Sequence, residues 1–373
     1  MSKRRGQIQV QFNWIFVLIV GGLILLFFLG VVRTQKKLSD TKISATISTD
    51  LRAILSGVEV STQTAALIDI PKTEIDFNCE GYSVGGLAGM RPTASFSPNV
   101  IKGNRLMSWA VPWSVPYRIM NFVYLTTPEV RYIIVDDNDG DSESLADKLE
   151  AVLPQKIIEE EDNDRIMMNK ELITSAEVSS ITDKNNYKVR VVFFTDTLND
   201  LQSDSTPNEL KYLEGDLTAI NVKVTSGGVD GYGQITFYKQ DGGNFGYAKT
   251  TALDSTTDYL GLQSLIAAVF AEDIESYNCN MQRAFKKFEF MTGIYESRTT
   301  ELKDNPPDLT CVSAYPDAVN YLTIIKGKTG DLSEVLDSSD IKEIYDKVYL
   351  ESDSDSLVNS NDRVQKLSCP EIY

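Results

Sequence analysis

Between residues 136 and 141 the chain reads Asp136-Asp137-Asn138-Asp139-Gly140-Asp141, and a further acid, Asp196, closes an apolar run later in the sequence. Carboxylates gathered in this way supply the oxygen ligands that hard cations prefer. Both acidic positions follow segments that read as strands, and the carboxyl ends of strands in open α/β sheets are where ligands bind. Asp136, Asp137, Asp139, Asp141 and Asp196 are therefore the candidate metal ligands, with Ca²⁺ or Mg²⁺ as the cation. The spacing departs from known templates. An EF-hand loop needs its glycine after the third acid, and here Gly140 precedes Asp141. The D-x-S-x-S adhesion pattern is broken because Asp141-Ser142-Glu143-Ser144 carries glutamate in a serine position. The same residues also suit an acidic turn that caps a helix starting at Ser144, since Asp, Asn and Gly favour turns and serine favours the cap. Both readings stand at this level.

Other chemistry is excluded more firmly. The 373 residues include no histidine, which removes Ser-His-Asp and Cys-His catalysis and every histidine-containing zinc site. There is no phosphate-binding loop, G-x-S-x-G elbow or dinucleotide fingerprint. The expectation is a protein without catalytic residues or an organic cofactor. Four cysteines, Cys79, Cys279, Cys311 and Cys369, are too dispersed for a C-x-x-C metal or redox pair. They suit two disulfides, in any of the possible pairings, or four buried thiols. The net charge is -17, and six of the 36 basic residues lie in the first 37 positions, which contain no acid. The chain from Leu38 onward carries the other 30 basic residues against all 53 acids, a net of -23. Such a surface repels nucleic-acid backbones, so no nucleic-acid partner is expected.

The elements that must position these residues are legible in outline. Residues 130–135 and 187–195 read as buried strands, with continuous apolar runs such as Val191-Val192-Phe193-Phe194 that both-faces-covered strands require. A helix is expected over 144–153, a short one over 209–213, and a hairpin over 217–239 around Gly227-Gly228. Residues 73–84 alternate as a strand, followed by a turn rich in glycine (Gly85, Gly86, Gly89). The segment 106–117 is aromatic but carries Pro112 and Pro116, which argues for a packed loop, or a sugar-stacking surface, instead of a central strand. From 258 a single apolar stripe through Leu262, Ile266, Phe270, Tyr277, Phe285 and Tyr295 predicts one long helix ending before Pro306-Pro307. Two shorter helices come next, near 317–325 and 339–350, then a Ser/Asp-rich loop over 351–362. The expected fold is an α/β head with a largely parallel sheet (71–255) and a helical C-terminal region (256–373).

Ahead of that head, residues 14–32 are apolar throughout, long enough for the roughly 20 residues that a bilayer core demands. Phe12 and Trp14 mark the entry, and Arg33, Lys36 and Lys37 mark the exit. A transmembrane helix over 7–33 is expected, continuing into an amphipathic stalk over 34–70. In the stalk Ile43, Ile47, Leu51, Ile54 and Val58 recur at helical steps, and the helix should end near Leu67, ahead of Pro71. The basic residues are balanced across the span. The even number of cysteines favours a cell-membrane protein that crosses once, with the bulk of the chain outside.

The N-terminus Lys3-Arg4-Arg5-Gly6, then Gln7-Ile8-Gln9-Val10-Gln11, then the apolar run, resembles the class III signal peptide of archaeal type IV pilin-like proteins. That resemblance implies a leader of residues 1–6 removed between Gly6 and Gln7, with the hydrophobic helix kept on the mature protein. It implies membrane lipid, copies of itself or other pilin-like subunits as partners, and a structural or adhesive role at the cell surface. Gln11 departs from the glutamate that often stands at the fifth mature position in that family.

Overall fold

The computed structural model describes residues 7–60, 65–90, 94–136, 144–154, 167–174, 177, 187–194, 216–241, 244–247, 249, 251, 253–349 and 356–373. Helix α1, Gln7–Val60, is followed by strands β1 Ala65–Phe77, β2 Gly81–Val84, β3 Leu87–Met90, β4 Ser95–Phe96, β5 Val100–Ser114, β6 Arg118–Thr126 and β7 Val130–Asp136. Helix α2, Leu145–Val152, leads to β8 Asn169–Thr174, β9 Lys188–Phe193, β10 Leu217–Ser226, β11 Tyr232–Asp241, β12 Asn244–Tyr247 and β13 Thr256–Leu260. The chain closes with α3 Leu262–Phe270, α4 Ile274–Asp304, α5 Pro316–Leu332, α6 Ser338–Tyr349 and α7 Leu357–Lys366.

The strands form two sheets. The first has the order β3-β2-β1-β5-β6-β4 and is antiparallel except where β4 meets β6. The second has the order β12-β11-β10-β9-β7-β8, with β13 beside β11. Its strands β8, β7, β9 and β10 are mutually parallel, whereas β10-β11, β11-β12 and β11-β13 are antiparallel. The expectation of a largely parallel sheet is thus corrected: only four neighbouring strands are parallel, and a second, mainly antiparallel sheet precedes them. The four parallel strands need long crossovers, and α2 lies in one of these. The antiparallel pairs are closed by short turns, such as Gly85-Gly86, where φ values of +57° and +83° suit glycine.

Proline accounts for most of what the sequence concealed in the first sheet. Helix α1 stops at Val60, short of the expected end near Leu67, and β1 then runs straight through Pro71. Pairing of β1 with β5 shifts register between Asp69 and Thr73, so Pro71 lies in a bulge and removes no regular ladder bond. The segment 106–117 is no loop. It supplies most of β5, and Pro112 is tolerated because β1 pairs β5 only as far as Trp109 while β6 continues alone. The sugar-stacking alternative falls with it, since Trp113 is fully buried and donates its indole Nε1–H to the Leu260 carbonyl at 3.0 Å.

The core lies between the sheets. Strand β6 alternates faces while burying nearly everything: Phe122 and Tyr124 join the central core, and Val123 and Leu125 point to the opposite face beneath α1. Helix α3, buried on all sides from Ser264 to Phe270, occupies the wedge with the first turns of α4. The ring of Phe270 touches Trp109 and Tyr124 of the first sheet and Tyr132 of the second, and Tyr277 touches Phe96 of the first and Phe237 of the second. The expected single helix from 258 is therefore corrected to a strand and two helices. Asp273 opens α4 by accepting from the Ser276 N–H at 2.7 Å, and the apolar stripe reads as continuous because both helices face one core. Helix α5 packs against α4, and α6 and α7 pack against α5 and each other.

All four cysteines are oxidised, pairing Cys79 with Cys279 and Cys311 with Cys369. The first bond ties the β1-β2 hairpin to α4, and the second pins the C-terminal tail to the turn after α4. Replacing Cys311 and Cys369 together by serine should cost about 2–4 kcal/mol. Denaturant unfolding of the solubilised chain measures this, with hydrogen exchange rising first in α7 and the tail.

Candidate functional site

The first feature with functional potential is the exposed half of α1. Trp14–Lys36 has mean hydropathy 3.1 over its most apolar window, none of it buried, and is long and apolar enough to cross a membrane. The other half of the same helix belongs to the head. Ile47 and Leu51, each 2% exposed, lie on the outer face of the first sheet against Ile75, Val84, Ile101 and Leu125. The Tyr82 hydroxyl donates to the Ser48 carbonyl at 3.0 Å, and buried Ser44 fits against Gly85, where any Cβ would collide with its hydroxyl. Of the five stripe residues read from the sequence, Ile47 and Leu51 are seen to form this seat. The side chains of Ile43, Ile54 and Val58 lie outside the described residues.

The acidic constellation is only partly described. Asp136 ends β7, half-buried, while Asp137, Asp139, Asp141 and Asp196 lie outside the described residues. Among the described residues no group of three or more acids or cysteines is placed to hold a metal ion. The capping role at this turn is visible: the Asp147 N–H donates to Ser144 Oγ and the Ser144 N–H to the Asp147 carboxylate, each at 3.0 Å. Of the implied processing residues, Gly6 lies outside the described residues and Gln7 opens α1.

A buried charge cluster that the sequence reading missed sits between the sheets. Strand β9 reads Lys188-Val189-Arg190-Val191-Val192-Phe193, and the alternation sends Lys188 and Arg190 toward α3 while Val189, Val191 and Phe193 line the opposite face. Lys188 pairs with Glu272, with both side chains largely buried. The same carboxylate accepts the Asn99 backbone N–H at 2.8 Å, and the Asn99 side-chain amide donates to Asp273 at 2.6 Å. Arg190 donates to the carbonyls of Ala268 (2.9 Å), Ala271 (2.7 Å) and Glu272 (3.2 Å), and lies over the Phe237 ring at 5.2 Å. It thereby caps the C-terminus of α3, where orphan carbonyls and the helix dipole favour a cation. Burial pulls the Arg190 guanidinium down to about 10, with Glu272 opposing, so it stays charged at neutral pH. The signal was present in the sequence: two basic residues at alternate positions of a wholly apolar strand require buried acceptors.

This cluster is tightly enclosed. The cavity beside it measures about 10 Å³, room for one water at most and not for a substrate. A roomier concavity, of about 660 Å³, opens on the outer face of α4 and is lined by Lys286, Glu289, Phe290, Gly293, Ile294, Ser297 and Lys326 of α5. Compared with protein-family models, characterised proteins and solved structures, the chain matches none.

Glu272→Ala should destabilise the fold by about 3–5 kcal/mol, because it strands the buried Lys188 ammonium and frees Asn99. Adding Lys188→Met should recover part of that loss. Chemical unfolding of the single and double variants checks both values, and a loss below about 1 kcal/mol in the single variant would contradict the assignment.

Proposed function

We propose that this chain is a membrane-anchored, extracytoplasmic structural protein, a pilin-like subunit or surface adhesion and assembly component, and that it has no catalytic role. The observation that carries the reading is the continuity of α1. One 54-residue helix is apolar and bare over 14–32 and, through Ile47, Leu51 and Ser48, part of the head's own core in its second half. At 1.5 Å per residue it spans about 80 Å. A segment cut away after export has no reason to be built into the head, whereas a permanent anchor or filament spine gains from being inseparable from it.

Three further observations agree. Both disulfides suit an oxidising compartment, which favours a head outside the cytoplasm. The acidic head would stay in solution while the basic residues flank the apolar span. The chemically richest cluster, around Glu272, is spent on joining layers and offers no room to a substrate. The resemblance of Lys3-Arg4-Arg5-Gly6 and the adjoining residues to a class III signal peptide supplies the finer part of the proposal, a cut between Gly6 and Gln7 and assembly with other subunits.

Mass spectrometry of the membrane-extracted protein should find a mature chain beginning at Gln7, and electron microscopy should show oligomers or filaments. A chain retaining residues 1–6 together with separate particles would leave a plain anchor and remove the pilin-like reading. Protease added to intact cells should digest the head, and its protection would overturn the orientation.

A further inference from the structure

We infer that the groove on the outer face of α4 receives the tip after α4 of a second copy of this chain, an inference that rests on the proposed structural role and names its contact. The groove floor is Phe290, Gly293 and Ile294, with Phe290 61% and Ile294 46% exposed, an unusual pair to leave in water on the middle of a well-packed helix. Its rim is locally basic. Lys286 and Lys326 line it and Lys287 lies over the Phe290 ring, against Glu289 and the Glu296 that pairs with Lys326, which leaves one net positive charge. On a head that is otherwise strongly acidic, a basic-rimmed apolar groove is complementary to the chain's own surface.

The matching piece is the 3₁₀ turn Leu309–Cys311. Leu309 projects into solvent, 88% exposed, with Val312 beside it at 46%, and the exposed acids Asp304, 3.6 Å from Lys303, and Asp308 flank them, leaving one net negative charge. This is an apolar knob with a negative collar, the inverse of the groove. It is also held in shape before any contact: Asp308 accepts from the Thr310 N–H at 3.0 Å, and Cys311 is bonded to Cys369. Little conformational entropy is then lost on docking. Knob and groove are different surfaces, so the contact is heterologous. Unless the rotation closes a ring, each copy presents a free knob and a free groove and the assembly extends.

Gly293 allows a test, because a Cβ there meets only ordinary contact with Lys326 and the backbone accepts a side chain, so Gly293→Leu places apolar bulk in the groove. The full chain, carrying photoreactive benzoylphenylalanine in place of Phe290, is reconstituted in liposomes from equal amounts of ¹⁴N- and ¹⁵N-labelled protein. The expected product is a crosslink from the residue-290 peptide to the peptide containing Leu309, with about half of the crosslinks joining one light and one heavy chain, as random pairing requires. Gly293→Leu and Leu309→Asp should each weaken association at least about tenfold with unchanged melting temperature. Lys286→Glu with Lys326→Glu should do the same, with recovery on adding Asp304→Lys and Asp308→Lys. Oligomers that persist in these variants, or crosslink elsewhere, overturn the groove contact and leave the structural role standing. Crosslinks to lipid or within one chain, with only monomers present, overturn both.

Discussion

Glu272 lies where the first sheet, the second sheet and the helical layer meet, and the junction of these layers depends on its charge being satisfied. It is reached by Lys188 from β9, by the Asn99 N–H from the start of β5, and it sits in the short link between α3 and α4. Its own carbonyl, with those of Ala268 and Ala271, is taken by Arg190. A carboxylate and two cations taken out of water are costly individually and tolerable only when every partner is in place. The cluster therefore fixes the local geometry of the junction, with α3 ending at Phe270, α4 beginning at Ile274, and β9 and Asn99 held against the link between them. The aromatic bridge from Phe270 and Tyr277 to both sheets then packs in the space that this junction defines.

That dependence explains which parts of the fold could be read from the sequence. Strands β7 and β9 were legible because burial on both faces writes itself as short apolar runs, Tyr132-Ile133-Ile134-Val135 and Val191-Val192-Phe193, and α2 because Ser144 and Asp147 form a local capping box. The apolar half of α1 was legible too, since an uncharged run over 14–32 stands out by composition alone. The first sheet was hidden because its strands break local rules that the tertiary structure then excuses: Pro71 at a bulge of β1, and Pro112 beyond the reach of β1 on β5. The break between α3 and α4 was obscured by its consequence. Helices on either side of a bend that face one core continue the same stripe, and only Asp273 as a cap marks the interruption. Disulfide pairing had no local signature at all, because sequence separations of 200 and 58 residues close only when the layers do.

For the candidate sites the division runs differently. The sequence drew attention to Asp136 and its neighbours, residues whose clustering is conspicuous in one dimension. The cluster that the fold does assemble, Lys188, Arg190, Glu272 and Asn99, is spread over almost the whole head and contains no motif. Its trace was a mismatch, basic residues where a buried strand should be apolar.

The two disulfides stand where the burial of apolar surface is thinnest. The β1-β2 hairpin that carries Cys79 has α1 on one side and no large core of its own, and the tail after α7 ends in seven residues without regular structure. Each bond fastens such a piece to the region of α4, at 31 residues the longest helix of the head among the described residues. In the first case the consequence reaches the anchor. The hairpin strand β2 holds Tyr82, whose hydroxyl binds the Ser48 carbonyl of α1, and its turn holds Gly85, which seats Ser44. Force applied along α1 therefore passes through a weak hydrogen-bonded contact and a modest apolar face into a hairpin that is covalently tied to α4. The disulfide does not strengthen the seat itself; it holds in place the hairpin on which Ser44, Ser48, Ile47 and Leu51 of α1 rest.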